Sequence, residues 1–170
     1  MIPFPQEKAQ LLYLRLADTL SENNWPLQIR EEKETGYTQR NILPFILKWV
    51  NQLNEGALHV RGDGGLNPLP IIWDEISLYP DLTIMYFHER LLAIEVKFLR
   101  TEDPGGSLTK AIGQALMYEK AGFKHAIAMI FDSRKLKDSH MFYHSSQRLK
   151  ITDYSSALYL KPSSEIQIQN

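Results

Sequence analysis

The sequence predicts a single α/β domain, a mixed sheet flanked by helices with one extra helix at the N-terminal end. Three observations carry that prediction. Segments with apolar residues at helical spacing alternate with short runs rich in β-branched and aromatic residues, in the order helix, strand, strand, strand, helix, strand. The length, 170 residues, suits one domain. The hydrophobic share, 44%, is enough to bury a core.

Taken in order, Ala9, Leu12, Tyr13, Leu16, Ala17 and Leu20 recur at helical spacing, which predicts an amphipathic helix over 6–22. Residues 23–37 are polar and acidic, with Pro26 and Gly36 as breakers. Ile42, Phe45, Ile46, Trp49, Val50 and Leu53 predict a second helix over about 39–54, with Pro44 in its first turn, where a missing N–H is harmless. Residues 61–70, RGDGGLNPLP, read as a loop. A strand is expected over 71–78. Asp81–Phe87 and Leu91–Leu99 then form a hairpin around His88, Glu89 and Arg90. Ser107 is the expected cap of a helix from 108 to about 121 that Gly122 ends. The apolar run His125–Phe131 reads as a buried strand. A helix around 138–149 and a strand around 156–160 complete the expected domain.

Composition removes whole classes of chemistry. With no cysteine there is no disulfide, thiolate zinc site, iron–sulfur cluster or cysteine nucleophile. No basic start leads into an apolar run, and no window reaches the roughly 18 apolar residues of a membrane span. The expectation is a soluble, intracellular (cytoplasmic) protein without a membrane partner, in which the RGD triplet at 61–63 has no adhesive meaning. The net charge is −1, but Lys97–Lys150 holds ten basic against five acidic residues and Met1–Val96 eight against thirteen. That balance is compatible with holding phosphates and metal, as it is with most soluble proteins.

Leu91–Leu99, LLAIEVKFL, carries the chemistry. Leu92, Ile94, Val96 and Phe98 alternate onto a core face, so Glu95 and Lys97 point together to the other. An isolated E-x-K on a strand is ordinarily a solvated ion pair. The preceding strand changes its meaning, because it opens with Pro80-Asp81. A three-residue turn at 88–90 pairs Phe87 with Leu91, which places Asp81 across from Lys97 and on the same face as Glu95. A two-residue turn puts Asp81 on the opposite face unless a bulge compensates. Two carboxylates and a lysine suit metal-assisted phosphodiester hydrolysis. Asp81 and Glu95, with the Val96 carbonyl, would hold Mg²⁺ or Mn²⁺, and Lys97 would orient or help deprotonate the attacking water.

Pro80-Asp81, thirteen intervening residues and Glu95-Val96-Lys97 resemble the PD-(D/E)XK motif of the restriction-endonuclease-like nuclease superfamily. Gln114 to Tyr118, QALMY, resembles the Q-x-x-x-Y motif of RecB-type nucleases. The resemblance spans roughly residues 38–131. It implies an αβββαβ core there, a helical extension over 1–37, and a C-terminal helix and strand over 132–161. It implies a divalent-metal-dependent nuclease, Mg²⁺- or Mn²⁺-loaded, that hydrolyses DNA, with Asp81, Glu95 and Lys97 catalytic and Gln114 supporting them. It implies that Tyr118 contacts the DNA strand. The basic Lys110, Lys120 and Lys124 are candidates for phosphate contacts. Many relatives cut as dimers, so a homodimer or a targeting partner protein is expected.

The chain also departs from the pattern. It lacks the cluster-binding cysteines of some Q-x-x-x-Y relatives. Residues 39–54 lack the acid that many relatives carry before the sheet; Glu34 and Glu32 are the nearest candidates, with Glu31, Glu55, Asp74 and Glu75 also near the motif. Two rivals remain on the same scaffold, a non-catalytic nucleic-acid-binding or assembly subunit and an RNA-cleaving enzyme. His140 and His144 share a helical spacing but have no third ligand. Arg134, Lys135 and Lys137 read as a solvated loop, and Trp25, Trp49 and Trp73 as packing residues.

Overall fold

In the computed structural model, residues 3–27, 33–62, 70–73, 76–135 and 141–163 are described. Helix α1 spans Gln6–Glu22 and buries the six predicted residues, Ala9 to Leu20. Strand β1 (Trp25–Leu27) follows, in a stretch expected to be irregular. Next, α2 (Glu34–Tyr37), a π-helical turn over Thr38–Ile42 and α3 (Leu43–Gln52) run on as one helical segment. It begins at Glu34 rather than near 39, and Pro44 falls in the first turn of α3, as predicted, directly after the π turn. The longer start has a packing cause. Tyr37 is fully buried and packs edge-on against Phe98 and Phe131, with ring centroids at 5.5 and 5.1 Å.

The strands continue with β2 (Leu58–Gly62), β3 (Ile71–Trp73), β4 (Ile76–Leu78), β5 (Leu82–Tyr86) and β6 (Glu89–Leu99). Strand β2 takes the place predicted for residues 71–78, and its alternating burial is a half-buried strand's signature. Ile71–Trp73 and Ile76–Leu78 instead make the separate two-stranded β3–β4 sheet. Helix α4 (Pro104–Lys120) starts earlier than Ser107 predicts. Asp103 is its cap, accepting from the Gly106 N–H at 2.9 Å, and Pro104 fills the first position. Gly122, at φ 94°, follows its end as predicted.

Strand β7 (His125–Asp132) is buried throughout, as its apolar run predicts. The predicted helix around 138–149 is a strand, β8 (Met141–Lys150), antiparallel to β9 (Ser155–Ser163). The physical reason is pairing on both sides. Tyr143 is buried between exposed Phe142 and His144, a period of two, and β8 bonds to β1 as well as β9. His140, Lys137, Glu31, Glu32, Asp74 and Glu75 fall outside the described residues.

The main sheet has seven strands in the order β1-β8-β9-β7-β6-β5-β2. Its centre, β6-β7-β9, is parallel, and its flanks are antiparallel. Leu92, Ile94, Val96, Ile127 and Met129 face one core with residues of α1, α2 and α3. Ala93, Leu99, Ala128 and Ile130 face a second core with Ala111, Ala115 and Tyr118 of α4. The central strands are therefore buried on both faces, as parallel strands require. Among the described residues, no helix is long and apolar enough to cross a membrane.

Candidate active site

The face on which Asp81 emerges is decided by register. The β5–β6 turn is two residues long, Phe87 and His88, so Tyr86 pairs with Glu89 and Met85 with Arg90. Left alone, that turn would turn Asp81 away from Glu95. The register then shifts, and Ile84 pairs with Leu92, leaving Leu91 as an extra residue in β6. The bulge restores parity. Leu82 pairs with Ile94, so Asp81 stands opposite Glu95 rather than opposite Lys97, on the expected face.

Strand β5 starts at Leu82, opposite Ile94, while β6 continues to Leu99, which leaves the β5-facing edge of β6 beyond Ile94 without a neighbour strand among the described residues. Two carboxylates take over the ladder. Asp81 accepts from the Val96 N–H at 2.7 Å, and Glu34 accepts from the Phe98 N–H at 2.9 Å. A strand residue directs its N–H and C=O to the same side, so the Val96 carbonyl opens into the same space. Tyr37, wedged on Phe98, fixes the helix turn that carries Glu34 there. Gly62 lets β2 come close: a Cβ at that position would stand 2.8 Å from the Asp81 carbonyl and 2.5 Å from Leu82.

Glu95 is buried with both oxygens engaged. One lies 2.6 Å from the Lys97 ammonium, and the other accepts from the Tyr118 hydroxyl at 2.5 Å. Lys97 also sits 3.6 Å from Glu34. Gln114, one turn before Tyr118 on α4, donates to the Tyr118 oxygen at 3.4 Å, while its own carbonyl oxygen is buried without a partner. Burial, then the Glu95 charge, pushes the Asp81 carboxyl up to about 7. Burial alone would lower Lys97, but Glu95, Glu34 and Asp81 outweigh it and raise it above the usual lysine range. Burial and the Glu95 charge likewise raise Tyr118, which stays a neutral donor.

Asp81, Glu95, Lys97, Gln114 and Tyr118 thus meet in one place with the Val96 backbone, and Glu34 joins them. Glu34 was one of several acidic residues flanking the helix; its Phe98 contact, 64 residues away in the chain, distinguishes it. Lys110 lies one turn above Gln114 on the same stripe of α4 and is exposed. Lys124 does not join the site. It lies at the other end of β7, 2.7 Å from Glu89 and 2.7 Å from the Phe4 carbonyl, where it ties the first residues to the hairpin. Lys120 is exposed at the end of α4.

Asp81, Glu95, Glu34 and the Val96 carbonyl offer oxygen donors only, the type that hard divalent cations take. Burial first, and the Glu95 carboxylate second, hold the Asp81 carboxyl up near 7, so an added positive charge nearby would favour its ionised form. No three His, Asp or Glu side chains among the described residues gather as a group that could hold a metal ion. Comparison with protein-family models, curated proteins and solved structures finds no match to the chain.

Proposed function

We propose that this chain is a divalent-metal-dependent nuclease that hydrolyses DNA phosphodiester bonds, built on a restriction-endonuclease-like core of α3, β2, β5, β6, α4 and β7. The observation that carries the reading is the convergence of Asp81, Glu95 and Lys97 at the point where β5 begins, with Glu34 and an unpartnered Gln114 oxygen beside them. Mg²⁺ or Mn²⁺, when bound by Asp81, Glu95 and the Val96 carbonyl, supplies a Lewis acid for the phosphate and a more acidic water. Lys97, released from Glu95, holds the attacking water or the charge growing on the phosphorus oxygens. Tyr118 and Gln114 hold Glu95 in its rotamer. Lys110, exposed on the same stripe, takes a backbone phosphate.

The test is cleavage of supercoiled plasmid and of labelled single-stranded and branched DNA and RNA, in Mg²⁺, Mn²⁺ and EDTA. Metal-dependent cutting that Asp81→Ala and Lys97→Ala each reduce by roughly 10²-fold or more supports the reading. The engagement of both Glu95 oxygens favours a second one, a non-catalytic nucleic-acid-binding subunit. It predicts metal-independent retardation of DNA and no cutting.

A further inference from the structure

Asp81 and Glu34 both cap the free edge of β6, but on different rungs. Asp81 takes the Val96 N–H at 2.7 Å, and Glu34 takes the Phe98 N–H at 2.9 Å. The two capped rungs are one pleat, roughly 6.6 Å, apart along the strand. Asp81 stands opposite Glu95, whereas Glu34 stands beside Lys97, 3.6 Å from its ammonium. The place of Glu34 is fixed by packing. Tyr37, one turn on, is fully buried against Phe98 and Phe131, and the Thr38 hydroxyl donates to the Glu34 carbonyl at 2.8 Å. Glu95 has no oxygen to spare, since Tyr118 holds one at 2.5 Å and Lys97 the other at 2.6 Å. Glu95 can therefore serve a cation only after Lys97 leaves it. The Lys97 side chain is 13% exposed, and a buried ammonium without a partner is costly. Among the described residues, Glu34 is the one other carboxylate within ion-pair distance of it.

We propose that Glu34 is the positioning residue for Lys97: it receives the ammonium that Glu95 gives up and aims it at the substrate phosphate, which leaves Asp81 and Glu95 to the cation. This rests on the nuclease reading and deepens it. A movement on the order of 1 Å takes the Lys97 Nζ from 3.6 Å to the length of a charge-assisted bond with Glu34. An ammonium carries further N–H groups, so a bond to Glu34 leaves donors for the attacking water or a phosphate oxygen. The four charged side chains then work as two pairs. Asp81 and Glu95 face the cation, and Glu34 faces Lys97.

The test is a double-mutant cycle on Mn²⁺ affinity, measured by calorimetry on the full chain without substrate. Glu34→Gln keeps an oxygen for the Phe98 N–H but removes the charge that Lys97 would meet. It should weaken Mn²⁺ binding roughly tenfold in the wild-type background. In Lys97→Met no ammonium has to be rehoused, so the same change should weaken binding about threefold or less. A second readout follows the Lys97 ammonium resonance by NMR as Mg²⁺ is added. It should stay protected from exchange with water in the wild type and be lost to exchange in Glu34→Gln. Equal weakening in the two backgrounds makes Glu34 a direct ligand and overturns the proposal. So does an ammonium signal equally protected in wild type and Glu34→Gln. Either result leaves the nuclease reading in place, whereas a wild-type chain that binds no Mn²⁺ removes that reading and this inference with it.

Discussion

Two clusters on the α4 face of the sheet are built from the same parts. In each, a buried acid near a strand end pairs with a cation two residues on and takes a tyrosine hydroxyl from a distant element. Glu95 has Lys97 at 2.6 Å and Tyr118 at 2.5 Å. Asp132 has Arg134 bidentate at 2.8 and 2.9 Å and Tyr159 at 2.6 Å. They differ in what surrounds the triad. Around Asp132 the bonds are complementary, and Arg134, then Tyr159, hold its carboxyl down to about 2. Around Glu95 stand two further carboxylates and an orphaned amide oxygen, and burial, then the Glu95 charge, drives the neighbouring Asp81 up to about 7. A closed triad stabilises the fold. An over-acidic one costs stability, which on the proposed function a bound cation would offset.

Removing the cations should separate the two most. Lys97→Met leaves buried carboxylates uncompensated, so it should cost roughly 3–5 kcal/mol in urea unfolding at pH 8, abolish cleavage, and tighten Mn²⁺ binding by calorimetry. Arg134→Met should cost about 1–2 kcal/mol and leave Mn²⁺ binding unchanged. A Lys97→Met protein that binds Mn²⁺ no better than wild type would break the comparison.

The acids should respond to pH with opposite sign. Asp81 is raised in the folded state, so its destabilisation is absent below about pH 4, grows toward pH 7 and is complete above it. Asp81→Asn should therefore stabilise the protein by on the order of 2 kcal/mol at pH 8 and not at pH 4. Asp132 is lowered, so its stabilisation is present above about pH 4 and lost as pH falls through 2. Asp132→Asn should cost roughly 1–2 kcal/mol at pH 7, shrinking toward pH 2. Denaturation midpoints across pH 2–8 measure both slopes.

The hydroxyls give a smaller effect. Tyr118→Phe and Tyr159→Phe should each cost about 1 kcal/mol, and only the first should alter metal affinity. Smallest of all, Gln114→Met should cost well under about 1 kcal/mol, because it gives up only the long 3.4 Å bond to Tyr118 and removes an unpaired buried oxygen, while weakening Mn²⁺ binding measurably.

What could be read from residues alone was whatever local periodicity decides. Helix α1 and the two faces of β6 follow from spacing, since each residue's side is set within a few positions. The meeting of Asp81 with Glu95 required an odd offset, and the demand for a bulge or odd turn was legible although its place, Leu91, was not. Strand β8 was hidden because nothing in Met141–Lys150 forbids a helix; partners outside it, Trp25 far up the chain and the adjoining β9 residues, make it a strand. Glu34 was one acid among several until Tyr37 found Phe98 and Phe131. Lys124 looked available as a basic residue following α4, but its fate is set by Glu89 and Phe4, which no local pattern foretells.

The extra residue at Leu91 gives the gene an arithmetic of its own. A sheet has two sides, so a carboxylate's side depends only on whether the residues between it and its partner are odd or even in number. Loss of one codon between Phe87 and Leu91 would send Asp81 into the core against α2 and α3 while sparing every site residue. Loss of two would shorten the hairpin and leave the acids facing each other. Descendants of this chain should therefore tolerate hairpin length changes in pairs, and inactivate themselves, without touching a single acidic codon, when they change by one.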